Sequence, residues 1–292
     1  MLNSPIEIKV HKYLSDVSKG TASMSDETIE MVTSHIREAL KKQFAKKEET
    51  EPFRLRMSNI GRPYCQLWFQ KNKPEEKVSP PNTFVMNMML GDIVEAVFKG
   101  ILKESNVEFK DSDSVVLNLG EDKIKGTYDL IIDDALDDIK SASDWSYKYK
   151  FNSYDTLADG DMFGYVGQLA GYTKAAGKKK CGWWVINKNN AHFKYIPATG
   201  LDIEKEVTKL KGVVKKLKEN KFERCFDLEN ETFRGKETGN KRLCKECSFC
   251  EFRYSCWKGL EELPSIPSQA KEPKLVAYVD LKKENKHERV VN

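Results

Sequence analysis

The chain has 292 residues, of which 32% are charged and 39% are hydrophobic. It is long enough to bury a sizeable core, and no apolar run approaches the roughly 20 residues that a membrane helix requires. The N-terminus lacks a basic segment followed by an apolar core, so we expect no secretory signal and a cytoplasmic protein. With 49 basic and 45 acidic residues, the net charge of +4 neither demands nor excludes nucleic acid as a partner.

Residues 1–50 are predicted to form a helical N-terminal extension. Ser25 is typical of a helix start, and apolar residues follow it at helical spacing. A longer helix with a broad apolar face is predicted over residues 83–104. Glu95 lies one position past the dense apolar stripe of that helix.

The remaining predicted elements are, in chain order, three strands, a helix, two strands and a final helix. Strands are predicted over 114–119, 125–132, 136–140, 181–186 and 192–196, and helices over 160–176 and 201–221. This order predicts an α/β fold with a mixed central sheet that is flanked by helices.

Two carboxylates and a lysine lie on consecutive predicted strands. Asp138 and Lys140 are two positions apart and therefore share a face, while Ile139 points the other way into a core. Asp129 joins them if its strand is the neighbour. Converging carboxylates offer the oxygen ligands that Mg²⁺ and Mn²⁺ prefer. A lysine beside them can orient a water molecule or offset charge on a phosphate under attack.

The segment that follows, residues 140–151, interleaves aromatic residues with lysines. Such a mixture suits stacking on bases together with neutralisation of phosphates, so it favours single-stranded nucleic acid as a partner. The alternative is an ordinary aromatic loop.

Four of the seven cysteines lie between Cys244 and Cys256. In a reducing compartment this crowding predicts a metal centre rather than disulfides. The spacing leaves the identity of the metal open.

Taken together, these motifs resemble the PD-(D/E)XK nuclease superfamily in its RecB-like branch. They are most similar to the iron–sulfur single-strand DNA exonucleases found beside CRISPR systems and in phage genomes. The matching motifs are Gly91-x3-Glu95, Gly126-x2-Asp129, Asp138-x-Lys140, Gln168-x3-Tyr172, and Cys65 with Cys247-x2-Cys250-x5-Cys256. The resemblance implies a restriction-endonuclease-like nuclease domain over residues 56–260. Residues 261–292 remain as a polar tail or an added edge element.

The resemblance also implies roles for individual residues. Asp129 and Asp138 would ligate a divalent metal ion, with help from the carbonyl of Ile139. Lys140 would position or activate the attacking water. The pair Gln168 and Tyr172 would hold the DNA backbone or the lysine.

Many relatives carry a histidine at the position of Glu95. As a third carboxylate, Glu95 would favour a second metal ion or hold a single ion more firmly, so the number of metal ions stays open.

For the cysteines, the resemblance implies a [4Fe–4S] cluster held by Cys65, Cys247, Cys250 and Cys256, which leaves Cys244 as surplus. The alternative is a local zinc site made by Cys244, Cys247, Cys250 and Cys256, with Cys65 packed in a core. Cys181 and Cys225 are expected to lie outside either centre.

The function expected from the sequence is metal-dependent exonuclease action on single-stranded DNA ends, in recombination, repair or phage DNA processing. A phage-encoded protein would act in the host cytoplasm. The alternative is a non-catalytic DNA-binding subunit with a nuclease fold, working with a recombination partner.

Overall fold

The computed structural model describes residues 4–46, 52–265 and 273–282. Its contacts divide the chain into two compact units. The first consists of the described residues in Met1–Arg62 and Pro81–Lys215, and the second of those in Pro63–Pro80 and Lys216–Asn292. The second unit is therefore assembled from two segments that are far apart in sequence.

Helices occur in both units. They are α1 Pro5–Ser18, α2 Asp26–Gln43, α3 Met57–Ile60, α4 Tyr64–Asn72, α5 Phe84–Glu104, α6 Asp144–Lys148, α7 Tyr154–Ala158, α8 Tyr165–Ala175, α9 Ile203–Glu219, α10 Lys245–Ser248 and α11 Arg253–Cys256. In the part of the chain that the structure describes, no helix is both long and apolar enough to cross a membrane.

The strands form two sheets. They are β1 Phe109–Leu119, β2 Asp122–Ile132, β3 Ala135–Ala142, β4 Lys180–Asn187, β5 Phe193–Pro197, β6 Leu228–Phe233, β7 Lys236–Leu243, β8 Glu261–Pro264 and β9 Leu275–Asp280. The first unit contains the sheet β1-β2-β3-β4-β5, and the second contains the sheet β6-β7-β9-β8.

The five-stranded sheet is mixed, as the sequence predicts. Strand β3 runs parallel to β4, and the other neighbouring strands are antiparallel. The parallel pair is possible because α6, α7 and α8 lie in the long connection between β3 and β4.

Apolar side chains form two core clusters along this sheet. Trp183 and Val185 belong to one cluster, whereas Trp184 and Ile186 belong to the other. Successive residues of a strand point to opposite faces, so β4 is covered on both sides. Helix α8 contributes Leu169 and neighbouring residues to the first cluster, and α1 and α5 contribute to the second. The first unit is thus a mixed sheet flanked by helices.

The N-terminal helices belong to this first unit rather than to a separate extension. The side chain of Ser25 caps α2 by accepting the backbone N–H of Thr28, which confirms the predicted helix start. Helices α2 and α5 pack so closely that a Cβ atom at Gly100 would lie only 2.6 Å from Cγ2 of Val32. Glycine at position 100 allows this approach. In α1, Glu7 is 2% exposed and accepts the backbone N–H of Tyr195 in β5.

Of the two alternatives for residues 261–292, the second unit contradicts the polar tail. The described residues form an added sheet element, with β8 at the edge of the sheet. Strand β9 lies inside the four-stranded sheet, between β7 and β8. Tyr278 of β9 is 1% exposed, and its hydroxyl donates a hydrogen bond to the buried carboxylate of Glu231. Thr238 and Asn240 donate two further hydrogen bonds to Glu231. This polar centre fixes the sheet, and the rest of the expected tail, 266–272 and 283–292, lies outside the described residues.

Aromatic rings hold the two segments of the second unit together. Phe69 of α4 stacks with Phe252 at 5.4 Å between ring centroids and meets Phe222 edge to face at 5.2 Å. Such ring pairs contribute about 0.5–1.5 kcal/mol beyond the area that they bury. They bring the start of α4, where Cys65 lies, to the C-terminal segment.

Candidate active site and cysteine group

A gap between two strands places the first carboxylate. Strands β2 and β3 pair only from Leu130 with Asp137 to Ile132 with Ala135. Beyond that point Oδ2 of Asp129 accepts the backbone N–H of Ile139 over 2.7 Å. The backbone N–H of Ile139 therefore donates to a side-chain carboxylate instead of to a backbone carbonyl of the neighbouring strand. This hydrogen bond holds the side chain of Asp129 beside β3.

The second carboxylate forms a buried ion pair with the lysine two positions further on. Nζ of Lys140 donates a hydrogen bond to Oδ1 of Asp138 over 2.8 Å and lies 2.6 Å from Oδ2. Oδ2 is buried and accepts no hydrogen bond from the residues that the structure describes, so its contact with the ammonium is an ion pair outside hydrogen-bond geometry. Ile139 points into the opposite core cluster, as predicted.

Burial changes the protonation of these groups. Desolvation, together with the negative charges of Asp138 and Glu95, raises the pKa of Asp129 to about 8. Desolvation also raises the pKa of Asp138, against the opposing effect of Lys140. Burial alone would lower the pKa of Lys140, but the charges of Asp138 and Asp129 raise it overall. Burial thus disfavours the ionised carboxylates, so a proton or a bound cation is needed, in addition to Lys140, to offset their charge.

The charge of Glu95 helps to raise the pKa of Asp129. Glu95 also forms an ion pair with Lys99, a lysine that the sequence analysis did not single out. Lys99 is 1% exposed, and its ammonium lies 2.7 Å from Glu95 and 2.9 Å from Asp111. It also donates a hydrogen bond to Ser112 over 2.8 Å. Asp111 and Ser112 come from β1, so only the folded sheet shows why a lysine is buried here.

Helix α8 brings the predicted Gln168 and Tyr172 to the same place. Burial, together with the charges of Asp129 and Asp138, raises the pKa of Tyr172 to about 12, and the neighbouring Gln168 acts to lower it. Gly126 makes this approach possible. A Cβ atom there would lie 2.4 Å from Cβ of Met57 and 2.9 Å from the hydroxyl of Tyr172.

The donor set suits a divalent cation, although it is not arranged around one point. Within residues 4–46, 52–265 and 273–282, no three His, Cys, Asp or Glu side chains are grouped to hold a single metal ion. Glu95 and Asp138 are directed towards lysines instead. Three observations nevertheless fit Mg²⁺ or Mn²⁺: the oxygen donors, the burial and neighbouring negative charges that raise the pKa of Asp129, and the buried Oδ2 of Asp138 without a hydrogen bond.

In the aromatic–lysine segment, residues 140–151, some aromatic side chains are exposed and others are buried. Trp145 on α6 is 55% exposed and Tyr149, which follows α6, is 62% exposed, whereas Phe151 is buried. The ring of Tyr147 is covered by the ammonium of Lys194 at 4.2 Å. About half of the predicted stacking surface is therefore accessible.

The cysteine group lies in the second unit and includes a residue that the sequence analysis excluded. The backbone N–H of Cys65 donates to Sγ of Cys225 over 2.9 Å. The hydrogen bond between the two side chains, together with burial, raises the pKa of the Cys65 thiol, and the same hydrogen bond lowers the pKa of Cys225. Cys181 is buried in β4 of the first unit, outside this group, as expected.

Cys247 and Cys256 lie on the short helices α10 and α11, Cys244 precedes α10, and Cys250 lies between the two helices. Sγ of Cys244 caps α10 by accepting the backbone N–H of Cys247 over 3.5 Å. Burial raises the pKa of Cys250 to about 11, and the nearby thiols of Cys65 and Cys256 add to this effect. Thiols from both segments of the second unit therefore influence one another, and thiolates are donors that suit iron or zinc. In the residues that the structure describes, they are not grouped around a single metal position.

Comparisons with known proteins add little to this picture. The sequence matches no protein-family profile and no curated protein. A solved structure described as "Crystal structure of SSO0001" superposes with a TM-score of 0.42 and 16% sequence identity, over 77% of this chain and 95% of that chain. A likeness at this level establishes neither a family nor an activity.

Proposed function

We propose that the chain is a divalent-metal-dependent DNA nuclease with a PD-(D/E)XK fold of the RecB-like branch, acting on single-stranded ends. The observation that carries this proposal is the side chain of Asp129 held across the gap between β2 and β3, beside the buried pair of Asp138 and Lys140. In this assignment Asp129, Asp138 and the carbonyl of Ile139 would hold Mg²⁺ or Mn²⁺. Glu95 would supply a further carboxylate.

The bound cation would polarise the phosphate and lower the pKa of a coordinated water molecule. The chain's own groups would do the rest. The ammonium of Lys140 would donate hydrogen bonds to the attacking water and to a phosphate oxygen, and burial makes such contacts stronger than in water. The hydroxyl of Tyr172 stays protonated at neutral pH because its pKa is about 12, so it can donate to the phosphate. Gln168 would keep that hydroxyl in place.

In the second unit, the same proposal assigns a [4Fe–4S] cluster to Cys65, Cys247, Cys250 and Cys256. Aromatic packing that brings α4 to the C-terminal segment supports it, since Cys65 lies in the first turn of α4. A zinc site at Cys244, Cys247, Cys250 and Cys256 is the alternative. Metal and sulfide analysis of anaerobically purified protein separates them: stoichiometric zinc without iron or sulfide would refute the cluster.

The rival function is a non-catalytic DNA-binding subunit of a recombination or DNA-processing complex. The two are separated by digestion of 5′- and 3′-labelled single- and double-stranded DNA with Mg²⁺ or Mn²⁺. We expect metal-stimulated shortening of single strands from an end. Binding of DNA without cleavage in either metal would favour the rival.

A further inference from the structure

The middle ring of a stack of three aromatic rings lies next to Lys140, the partly buried lysine of the proposed active site. Nζ of Lys140 is 5.1 Å from the ring centroid of Tyr165. The ring of Tyr165 stacks with Phe151 at 5.9 Å and with Phe163 at 5.6 Å, with interplanar angles of 29° and 25°. We call these three residues the aromatic column. Phe151 is 3% exposed and Phe163 is 45% exposed, so the column leads from the core to solvent.

The column also carries a second positive charge. Nζ of Lys150 lies 4.5 Å from the ring centroid of Phe163 and 4.6 Å from that of Tyr165. An ammonium over aromatic faces next to an accessible ring is the combination that binds a phosphate and its base together.

We propose that the exposed ring of Phe163 is a stacking platform for a base close to the scissile phosphate, and that Lys150 contacts the backbone of the same nucleotide. The proposal rests on the proposed function, which places that phosphate beside Lys140. Two steps, of 5.1 Å and 5.6 Å, separate the ammonium of Lys140 from the ring of Phe163. A stacked strand advances about 3.4 Å per nucleotide, so these steps correspond to roughly one to three nucleotides.

The ligand class follows from the geometry. A ring that is half exposed can receive a base only if the base is free to leave its neighbours, as in a single strand. The platform therefore requires single-stranded polynucleotide that carries bases. Stacking is tolerant of sequence, so the platform imposes no base preference of its own.

The test is a binding assay in chelator, where no metal-dependent cleavage occurs. Fluorescence anisotropy of a labelled oligothymidylate would be measured with the wild type, Phe163→Ala and Phe163→Leu. Loss of one base–aromatic stack should weaken binding about 5- to 100-fold in both variants. Phe163→Leu keeps apolar bulk and so protects the result against misfolding. Phe44→Ala is the control, because Phe44 is a phenylalanine that is 59% exposed and lies outside both the aromatic column and the segment 140–151.

A wholly abasic oligomer of the same length completes the test. Both Phe163 variants should bind it as tightly as the wild type does. The proposal is overturned if Phe163→Ala binds oligothymidylate like the wild type, if it loses as much affinity for the abasic oligomer, or if the wild type does not bind. Cleavage in Mg²⁺ or Mn²⁺ is scored separately. The binding assay can thus support stacking on Phe163 even if no cleavage is found. The cleavage assay can likewise support the nuclease assignment even if Phe163 plays no part in binding.

A second inference rests on an independent contact in the cysteine group. Cys225 and its neighbour Arg224 reach two of the cysteines assigned to the proposed cluster. Sγ of Cys225 accepts the backbone N–H of Cys65 over 2.9 Å, and Nη2 of Arg224 donates to the carbonyl of Cys256 over 2.9 Å. The guanidinium of Arg224 also lies 4.2 Å from the ring centroid of Trp257. Residues 224 and 225 are thus held between both segments of the second unit.

We infer that Cys225 is a fifth ligand-competent thiol of this centre, able to replace Cys65. This inference rests on the proposed [4Fe–4S] cluster, which requires four thiolates, and Sγ of Cys225 lies beside one of the four assigned cysteines. Cys244 differs, because its sulfur caps α10.

The test is iron, zinc and sulfide content together with visible absorbance after anaerobic purification. We expect Cys65→Ala and Cys225→Ala each to retain at least about half of the wild-type iron, and the double variant to lose nearly all of it. Cys244→Ala is the control and should match the wild type. The inference fails if Cys65→Ala loses as much iron as the double variant does, if the double variant keeps its metal, or if the wild type contains no iron.

Discussion

The carboxylate site and the cysteine group place reactive side chains in different ways. Asp129, Asp138 and Lys140 project from two strands of a sheet that is buried on both faces. The cysteines project from the first turn of α4, from a loop, and from two helices of four residues each. Regular structure thus supports the first region, and short irregular segments support the second.

The two regions should also differ in what stabilises their folded structure. In the first, each buried carboxylate already has a partner within the protein, either a lysine or a backbone N–H. In the second, helices of one turn are too short to be stable alone. We therefore expect the order of the second region to depend on what its thiols bind, and that of the first to depend on single side chains.

The largest effect should appear in amide hydrogen exchange of the second unit. In anaerobically purified protein, Cys250→Ala should lower protection of residues 63–80 and 244–256 about ten-thousandfold or more, because bound metal contributes directly to folding. Strands β3 and β4 should exchange as in the wild type. Unchanged protection in both regions would mean that the cysteine group is held by packing alone.

The next largest effect should come from breaking the ion pair between Asp138 and Lys140 in the first unit. Lys140→Met removes the partner of a buried carboxylate and should cost about 3–5 kcal/mol in the free energy of unfolding. The double variant Asp138→Asn/Lys140→Met removes both charges and should recover much of that loss. Urea denaturation in chelator measures both, and a double variant less stable than the single one would contradict the ion-pair account.

A pH dependence follows from Asp137, which accepts hydrogen bonds from Tyr195 over 2.9 Å and Trp184 over 3.1 Å. Burial raises the pKa of Asp137 to about 7 despite these donors. This value lies above the unfolded pKa of about 3.9, so the contribution to stability is full below about pH 4 and is lost as the pH rises to about 7.

Asp137→Asn lacks this titration. Between pH 5 and pH 7 the free energy of unfolding should therefore fall about 2 kcal/mol more in the wild type than in Asp137→Asn. Asp129 and Asp138 titrate in both proteins, so the difference removes their contribution except for the part through which the charge of Asp138 acts on Asp137. Parallel curves for the two proteins would show that Asp137 is ionised throughout this range.

The smallest effect tests steric fit at the site. Gly126→Ala places a Cβ atom 2.4 Å from Cβ of Met57 and 2.9 Å from the hydroxyl of Tyr172. Overpacking of this kind should cost about 1–3 kcal/mol. Gly91→Ala is the matched control, because its Cβ atom would meet only Oγ of Ser141 at an ordinary 3.6 Å. Thermal unfolding of both variants checks this, and equal melting temperatures would contradict it.

The same contrast explains what could be predicted from the sequence. The side chains of Asp138 and Lys140 share a face because strands repeat every two residues, and this needs no knowledge of the fold. Glu95, Gln168 and Tyr172 were found by helical position and motif. Lys99 was missed because its partners Asp111 and Ser112 become neighbours only when β1 is in place.

Long-range contacts account for the other misses. Cys225 is 160 residues from Cys65 and belongs to no spacing motif, so only the fold shows their contact. Strands β6 and β7 are polar and lack apolar alternation, since their sheet is built around the buried carboxylate of Glu231. The expectation of a C-terminal tail failed for the same reason.

The central claim is that the pair of Asp138 and Lys140, together with Asp129, forms a nuclease centre. It is tested most directly by cleavage of a labelled single strand in Mn²⁺ by the wild type, Asp138→Ala and Asp137→Asn. The control is closely matched, because Asp137 is an adjacent buried carboxylate whose hydrogen bonds go to Trp184 and Tyr195. We predict that Asp137→Asn cleaves within a few-fold of the wild type and that Asp138→Ala loses cleavage about a thousandfold or more. Full activity in Asp138→Ala would contradict the assignment.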